Sequence, residues 1–205
     1  MTGHVLMVTD KSGSMAHLAT DVIGGFNSLI EDLKSTIQDC KITVVLFDTI
    51  YYVICVDEPI GNAPKLNAVN YVPNGFTALY DAVGRTITEF DSKVGPELDD
   101  NDRVTIVIQT DGHENASEEH TAESVKALMD AKLATGKWNV IYIGAGPDTW
   151  AQAQSMGVRQ KSYLNTRATG QATHNTYEAM SNSVKRSFSG DTDFMEDLRK
   201  ANKNT

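Results

Sequence analysis

Two carboxylates and three hydroxyls stand at spacings that could hold a hard cation. Asp10 ends the apolar run His4-Val5-Leu6-Met7-Val8-Thr9, and Lys11-Ser12-Gly13-Ser14-Met15 follows it, so a Gly-assisted turn carries two hydroxyls just after an acid. Asp111 ends a second apolar run, Val104-Thr105-Ile106-Val107-Ile108-Gln109-Thr110. Thr77, in Asn74-Gly75-Phe76-Thr77, offers a third hydroxyl at the entrance to a helical segment. Donors of this kind suit Mg²⁺ or Mn²⁺, with Ca²⁺ a weaker candidate. Mg²⁺ takes a near-octahedral oxygen shell at about 2.0–2.1 Å and keeps several waters. Five protein oxygens leave little room for waters and an outside ligand, so some of them must act through water. Hydroxyls are neutral and leave the ion much of its charge, so such a site attracts an anionic group from a partner.

The elements that must position these residues alternate. Strand-like runs at 4–9, 42–47, 51–56, 104–108, 138–143 and 162–164 are separated by helical periodicities. Val22, Ile23, Phe26, Leu29, Ile30, Leu33 and Ile37 mark the first helix, with Thr20 or Asp21 as its expected N-cap. Further helices are expected over 78–90, 121–135, 149–156 and 172–188, and 57–76 reads as a loop rich in Pro, Gly and Asn. Only Asp48-Thr49-Ile50 separates the second and third strands, and so short a link joins antiparallel strands. The expected fold is therefore α/β: a doubly wound, mostly parallel six-stranded sheet of order 3-2-1-4-5-6, with strand 3 antiparallel at the edge. The switch in strand order lies between strands 1 and 4, where such sheets bind ligands. Asp10 and Asp111 end the two strands that flank it.

Composition narrows the function. The net charge of -9 and pI near 4.9 argue against a nucleic-acid partner and against an anionic membrane surface. No apolar run approaches the roughly 20 residues of a membrane span. The first strand starts so near Met1 that no leader is expected, which places the protein in the cytoplasm, that of a phage-infected bacterium included, or in a virion. Cys40 and Cys55 are expected as reduced thiols, with a disulfide left open if they share neighbouring strands. One domain is expected over 1–189, followed by a polar tail at 190–205; its Phe194, Met195 and Leu198 could dock on the domain or on a partner, but a frayed terminus is the simpler expectation.

Asp-x-Ser-x-Ser, a Thr ahead of a central helix and Thr-Asp-Gly after strand 4 together resemble the metal-ion-dependent adhesion site of the von Willebrand factor A family. The three pieces are DKSGSM at 10–15, NGFTALYDA at 74–82 and QTDGHEN at 109–115, and the resemblance spans roughly residues 4–188, most closely to small bacterial and phage-encoded members. It implies that Ser12, Ser14 and Thr77 bind the metal directly, that Asp10 and Asp111 act mostly through water, and that a partner protein's Asp or Glu completes the coordination. Lys11, Gly13, Gly75, Phe76, His113 and Glu114 would then form the rim that meets the partner.

Other chemistries fare worse. Ser12 and Ser14 lie in no G-x-S-x-G elbow, and His17 reads as a loop residue. His113, Glu114 and His120 lack zincin spacing, and Gly144-Ala145-Gly146 has Thr149 where a dinucleotide loop needs glycine. Asp48 reads as a turn residue, and Asp57 with Glu58 as solvated loop. The leading expectation is a metal-dependent protein-binding domain that is not an enzyme. A metal-assisted phosphohydrolase is the runner-up, and a structural subunit of a phage or bacterial assembly the third reading.

Overall fold

The computed structural model describes residues 1–146, 148–167, 169–191 and 193–203, with side chains through residue 200. Pro147, expected to help break the fifth strand, lies outside them. Six strands form one sheet: β1 (Gly3–Asp10), β2 (Cys40–Phe47), β3 (Tyr51–Pro59), β4 (Arg103–Thr110), β5 (Trp138–Ala145) and β6 (Tyr163–Thr166). Their order is β3-β2-β1-β4-β5-β6, with β3 antiparallel to β2 and every other pairing parallel. This is the expected topology.

The long apolar runs have a simple cause: the central strands are covered on both faces, so neither side of the pleat can be polar. Val5 and Met7 of β1 point into one core with Val44 and Leu46. Leu6 and Val8 point into the other with Ile106 and Ile108. Helices α1 (Ala19–Thr36) and α5 (Gly170–Phe188) close the first core with Val22, Phe26, Leu33, Tyr177, Met180 and Val184. Helices α2 (Leu79–Lys93), α3 (Ala122–Ala134) and α4 (Thr149–Ser155) close the second with Leu79, Val83, Ile87, Val125, Met129 and Ala153. No helix among the described residues is long and apolar enough to cross a membrane.

Several local expectations are corrected. A two-turn 3-10 segment, Gly13–Leu18, runs into α1, so the N-cap of α1 is Leu18 rather than Thr20 or Asp21, and no side chain caps it. Asp57 is not solvated loop. It belongs to β3 at φ 50, where the β2–β3 register shifts, and its carboxylate is bonded by His4 (2.6 Å) and Lys41 (2.8 Å). At this bulge the extra residue takes a left-handed backbone, which Asp tolerates better than most. Cys40 and Cys55 do sit on neighbouring strands, yet both are free thiols: Cys55 faces Val44, four residues along from Cys40. At roughly 3.3 Å per residue they are about 13 Å apart, beyond a disulfide's reach.

The C-terminal segment also departs from expectation. Residues 196–203 form α6 (Glu196–Lys203), which packs on α5 and β6. Phe194, Met195 and Leu198 are buried in the first core, with Leu198 fully inaccessible. Arg186 near the end of α5 ties the segment down through Asp191 (2.7 Å), Glu196 (3.0 Å) and Asp197 (3.3 Å). Apolar side chains that find an uncovered core edge lose less by ordering than they gain by burial.

Candidate metal centre

The centre lies at the carboxyl ends of β1 and β4, where three loops meet. Asp10 sits at its base, fully buried. One carboxylate oxygen accepts Thr110 Oγ1 at 2.6 Å and the other accepts the Ser12 backbone N–H at 2.6 Å. The second bond is the Asx-turn that Asp-x-Ser alone would suggest. Burial pushes the Asp10 carboxyl up to about 6, although Thr110 and Ser12 pull it down and Asp111 adds to the rise. The groups that hold Asp10 are hydroxyls and a backbone N–H, none of them cationic. A buried carboxylate with only neutral donors is the environment in which a bound cation gains most.

Asp111 is half-buried, and its carboxyl is likewise raised by burial, against the bond from Ser14 and the nearby His17. Ser14 Oγ donates to Asp111 Oδ1 at 2.6 Å and lies 3.1 Å from Ser12 Oγ. Ser12 is buried and Ser14 exposed, so the oxygens run from the core to the mouth of the crevice. His17 Nδ1 donates to the Ser14 carbonyl at 2.8 Å and holds the turn.

Thr77 enters from the loop before α2. Its backbone N–H donates to Asn115 Oδ1 (2.9 Å), and Asn115 N–H donates back to the Thr77 carbonyl (3.0 Å). That clamp fixes the side chain, which is buried and whose hydroxyl has no hydrogen-bond partner among the described residues. Gly112 sits against it: a Cβ there would lie 2.8 Å from Thr77 Oγ1 and 3.5 Å from Ser14 Oγ. The five expected ligand residues therefore converge. Their donor set, two carboxylates and three hydroxyls, fits a hard divalent cation. No cluster of three or more His, Cys, Asp or Glu occurs among the described residues, so the hydroxyls are indispensable to a metal reading.

The rim separates into two kinds of residue. Gly13, Gly75, Phe76 and His113 are exposed around the mouth. Gly75 adopts φ 68, and a Cβ there would meet Thr49 Oγ1 at 2.8 Å, so the tight turn beneath Phe76 requires glycine. Lys11 and Glu114 do not belong to the rim. Lys11 is buried, with its ammonium 2.5 Å from Asp48 and over the Tyr52 ring. The long side chain folds back because a buried carboxylate awaits it. The Glu114 carboxylate accepts the Tyr80 N–H at the start of α2 (2.9 Å) and three donors from Ala116 and Ser117. It caps a helix from a distant loop, and its oxygens are thereby occupied.

Sequence reading misses a layer of supporting residues. Thr110 holds Asp10, Asn115 holds Thr77, and the Tyr71 hydroxyl donates to the Asp10 carbonyl at 2.7 Å. Asp48 is more than a turn residue: it bonds the Ile50 N–H (2.7 Å), accepts Lys11, and its carbonyl accepts the Ala78 N–H (2.9 Å). The sequence offers one signal for them, the polar pair Gln109-Thr110 that closes the apolar run of β4.

No family model matches the chain, and neither does any curated protein. Solved structures do. Proximal thread matrix protein 1 from the mussel byssus, in a structure with a zinc-occupied MIDAS motif, superposes with a TM-score of 0.66 at 14% identity over 89% of this chain. The pilus adhesin SpaC from Lactobacillus rhamnosus GG, in its open conformation, gives 0.66 at 12% over 91%. Manganese-loaded Plasmodium vivax TRAP protein gives 0.57 at 17% over 82%. The chain spans 48% of the mussel structure, 30% of the adhesin and 69% of TRAP. At these identities the likeness establishes a common fold.

Proposed function

Because the chain has the von Willebrand factor A fold, we propose that it is a metal-dependent protein-binding domain whose ion is Mg²⁺ or Mn²⁺ and whose partner supplies an Asp or Glu carboxylate. One observation carries the reading: three loops deliver two carboxylates and three hydroxyls to a single crevice that opens to solvent at Ser14. In it Ser12, Ser14 and Thr77 offer neutral lone pairs, while Asp10 and Asp111 supply charge and orient bound water. The ion would act as an electrophile toward an outside carboxylate. Zinc in the mussel MIDAS motif, manganese in TRAP and the adhesin role of SpaC support both the metal and the binding role. We propose no catalytic step: Ser14 Oγ donates to Asp111 and lies 3.1 Å from Ser12 Oγ, which gathers oxygens for an ion, and His17 bonds the Ser14 carbonyl rather than its hydroxyl.

The test has two arms. Thermal melting with Mg²⁺ or Mn²⁺, against chelator, should raise the midpoint of wild type and not of Asp10→Ala or Thr77→Ala. Once a partner is confirmed, its binding should vanish in chelator and in Asp111→Ala. Equal binding with and without metal would sink the reading, and so would turnover of a phosphate ester that Ser12→Ala abolishes.

A further inference from the structure

Six large hydrophobic side chains are exposed among the described residues, and four of them, Ile50, Val69, Val72 and Phe76, lie on two loops beside the metal centre. Phe76 is 66% exposed and directly precedes Thr77. Ile50, 59% exposed, tips the β2–β3 turn. These loops are bonded to one another and to the ligand loop. Phe76 N–H donates to Thr49 Oγ1 at 2.9 Å, Asn74 N–H to the Lys11 carbonyl at 2.9 Å, and Gly13 N–H to the Gly75 carbonyl at 3.1 Å. The apolar side chains are thus held at a fixed place relative to Ser12, Ser14 and Thr77. Beside Ile50 opens a cavity of about 300 Å³, walled by Tyr51, Ala78 and Ala82 on one side and by Asp81, Glu118 and Glu119 on the other, with Arg85 over the Tyr51 ring.

Charge is uneven across the rim. Residues 59–80 contain no Asp or Glu and one Lys, on a chain of net charge -9. Across the mouth from this segment stand Asp111 and Asp148, the latter near His113, while Glu118 and Glu119 line the far wall of the Ile50 cavity. An acidic partner therefore meets less repulsion along the loop that carries Val72 and Phe76 than on the side of Asp111 and Asp148. We infer that Ile50, Val72 and Phe76 form the specificity surface of this centre, and that its occupant is a protein segment whose Asp or Glu is flanked by a large apolar side chain seated on Ile50 and Phe76. The inference rests on the proposed metal-dependent binding and names the partner's chemistry. A few large side chains packed near the centre of an interface carry most of its binding energy.

A library of short peptides with a fixed central Asp and varied flanking positions, screened in Mn²⁺ and in EDTA, tests it. Wild type should select Leu, Ile, Phe or Trp beside the acid. The selected peptides should bind Ile50→Ser and Phe76→Ser roughly tenfold more weakly, while both variants keep the wild-type melting shift in Mn²⁺. Selection without apolar preference, an apolar preference that survives both substitutions, or no selection at all would overturn the inference. So would dimerisation of wild type that Phe76→Ser abolishes, which assigns the patch to a second copy. Peptides that bind equally in EDTA, or with Asn in place of the Asp, defeat the metal-dependent reading itself and are distinguished from these outcomes by that control.

Discussion

A centre built on hydroxyls depends on where each oxygen points, and here atoms one layer away decide that. Gly112 is the clearest case, because its missing side chain is what leaves Thr77 Oγ1 in place. Gly112→Ala would put a methyl 2.8 Å from that oxygen, and either the Thr77 loop or strand end must move. Displacement of a ligand by several tenths of an ångström is costly for an ion that demands a strict shell. Affinity for Mn²⁺, followed by calorimetric titration, should fall by about tenfold or more, with the chelator-treated protein still folded. Unchanged affinity would show that Thr77 is not a ligand. The five ligand candidates are legible in the sequence because a strand end, a Gly-assisted turn and a helix entrance each announce themselves locally. The residues that hold them are not. Tyr71 reaches Asp10 across 61 positions and Asn115 reaches Thr77 across 38, and no local pattern encodes such pairings. Lys11 and Glu114 mislead for the same reason: charged side chains in surface loops look like rim until distant partners, Asp48 and the start of α2, absorb them.

At the scale of elements, the β2–β3 turn is the support on which two ligand loops rest. Lys11 and Asp48 are both buried, and their ion pair joins the Ser12 loop to the turn, while the Asp48 carbonyl holds Ala78 at the entrance to α2. Removing one partner of a buried pair leaves an uncompensated charge, which costs about 3–5 kcal/mol. Asp48→Ala should therefore destabilise the metal-free protein by that amount in urea unfolding. Lys11→Met combined with Asp48→Asn should recover much of it, because no buried charge remains and the Ile50 N–H keeps an acceptor. A loss for Asp48→Ala within about 0.5 kcal/mol of wild type, the range of ordinary surface changes, would refute the assignment. The short link between these strands was enough to predict their antiparallel pairing and hence the sheet order. The bulge at Asp57 was not predictable, since it arises from the register β3 takes against β2 and from the bonds His4 and Lys41 then make.

On the scale of the whole molecule, the sheet has two faces to cover, and the segment after α5 completes one of them. Three apolar residues among charges cannot reveal from sequence whether they find a surface. The answer depends on how much of α5 and β6 the other helices leave open. β6 has four residues at the sheet edge, and α6 packs on it and on α5, with Leu198 of α6 and the preceding Phe194 and Met195 buried in the first core. Burial of a leucine in a core, with no solvent contact, is worth about 2–5 kcal/mol when it is cut back to alanine. Leu198→Ala should lower the unfolding free energy by about 2–4 kcal/mol in denaturant titrations. Lys200→Ala, two positions on and exposed, removes one surface pair with Glu196 and should cost under about 0.5 kcal/mol. If the two variants unfold alike, α6 does not contribute to the core. If Leu198→Ala unfolds early while the metal-induced melting shift persists, the segment stabilises the domain without shaping the centre at the opposite end of the strands.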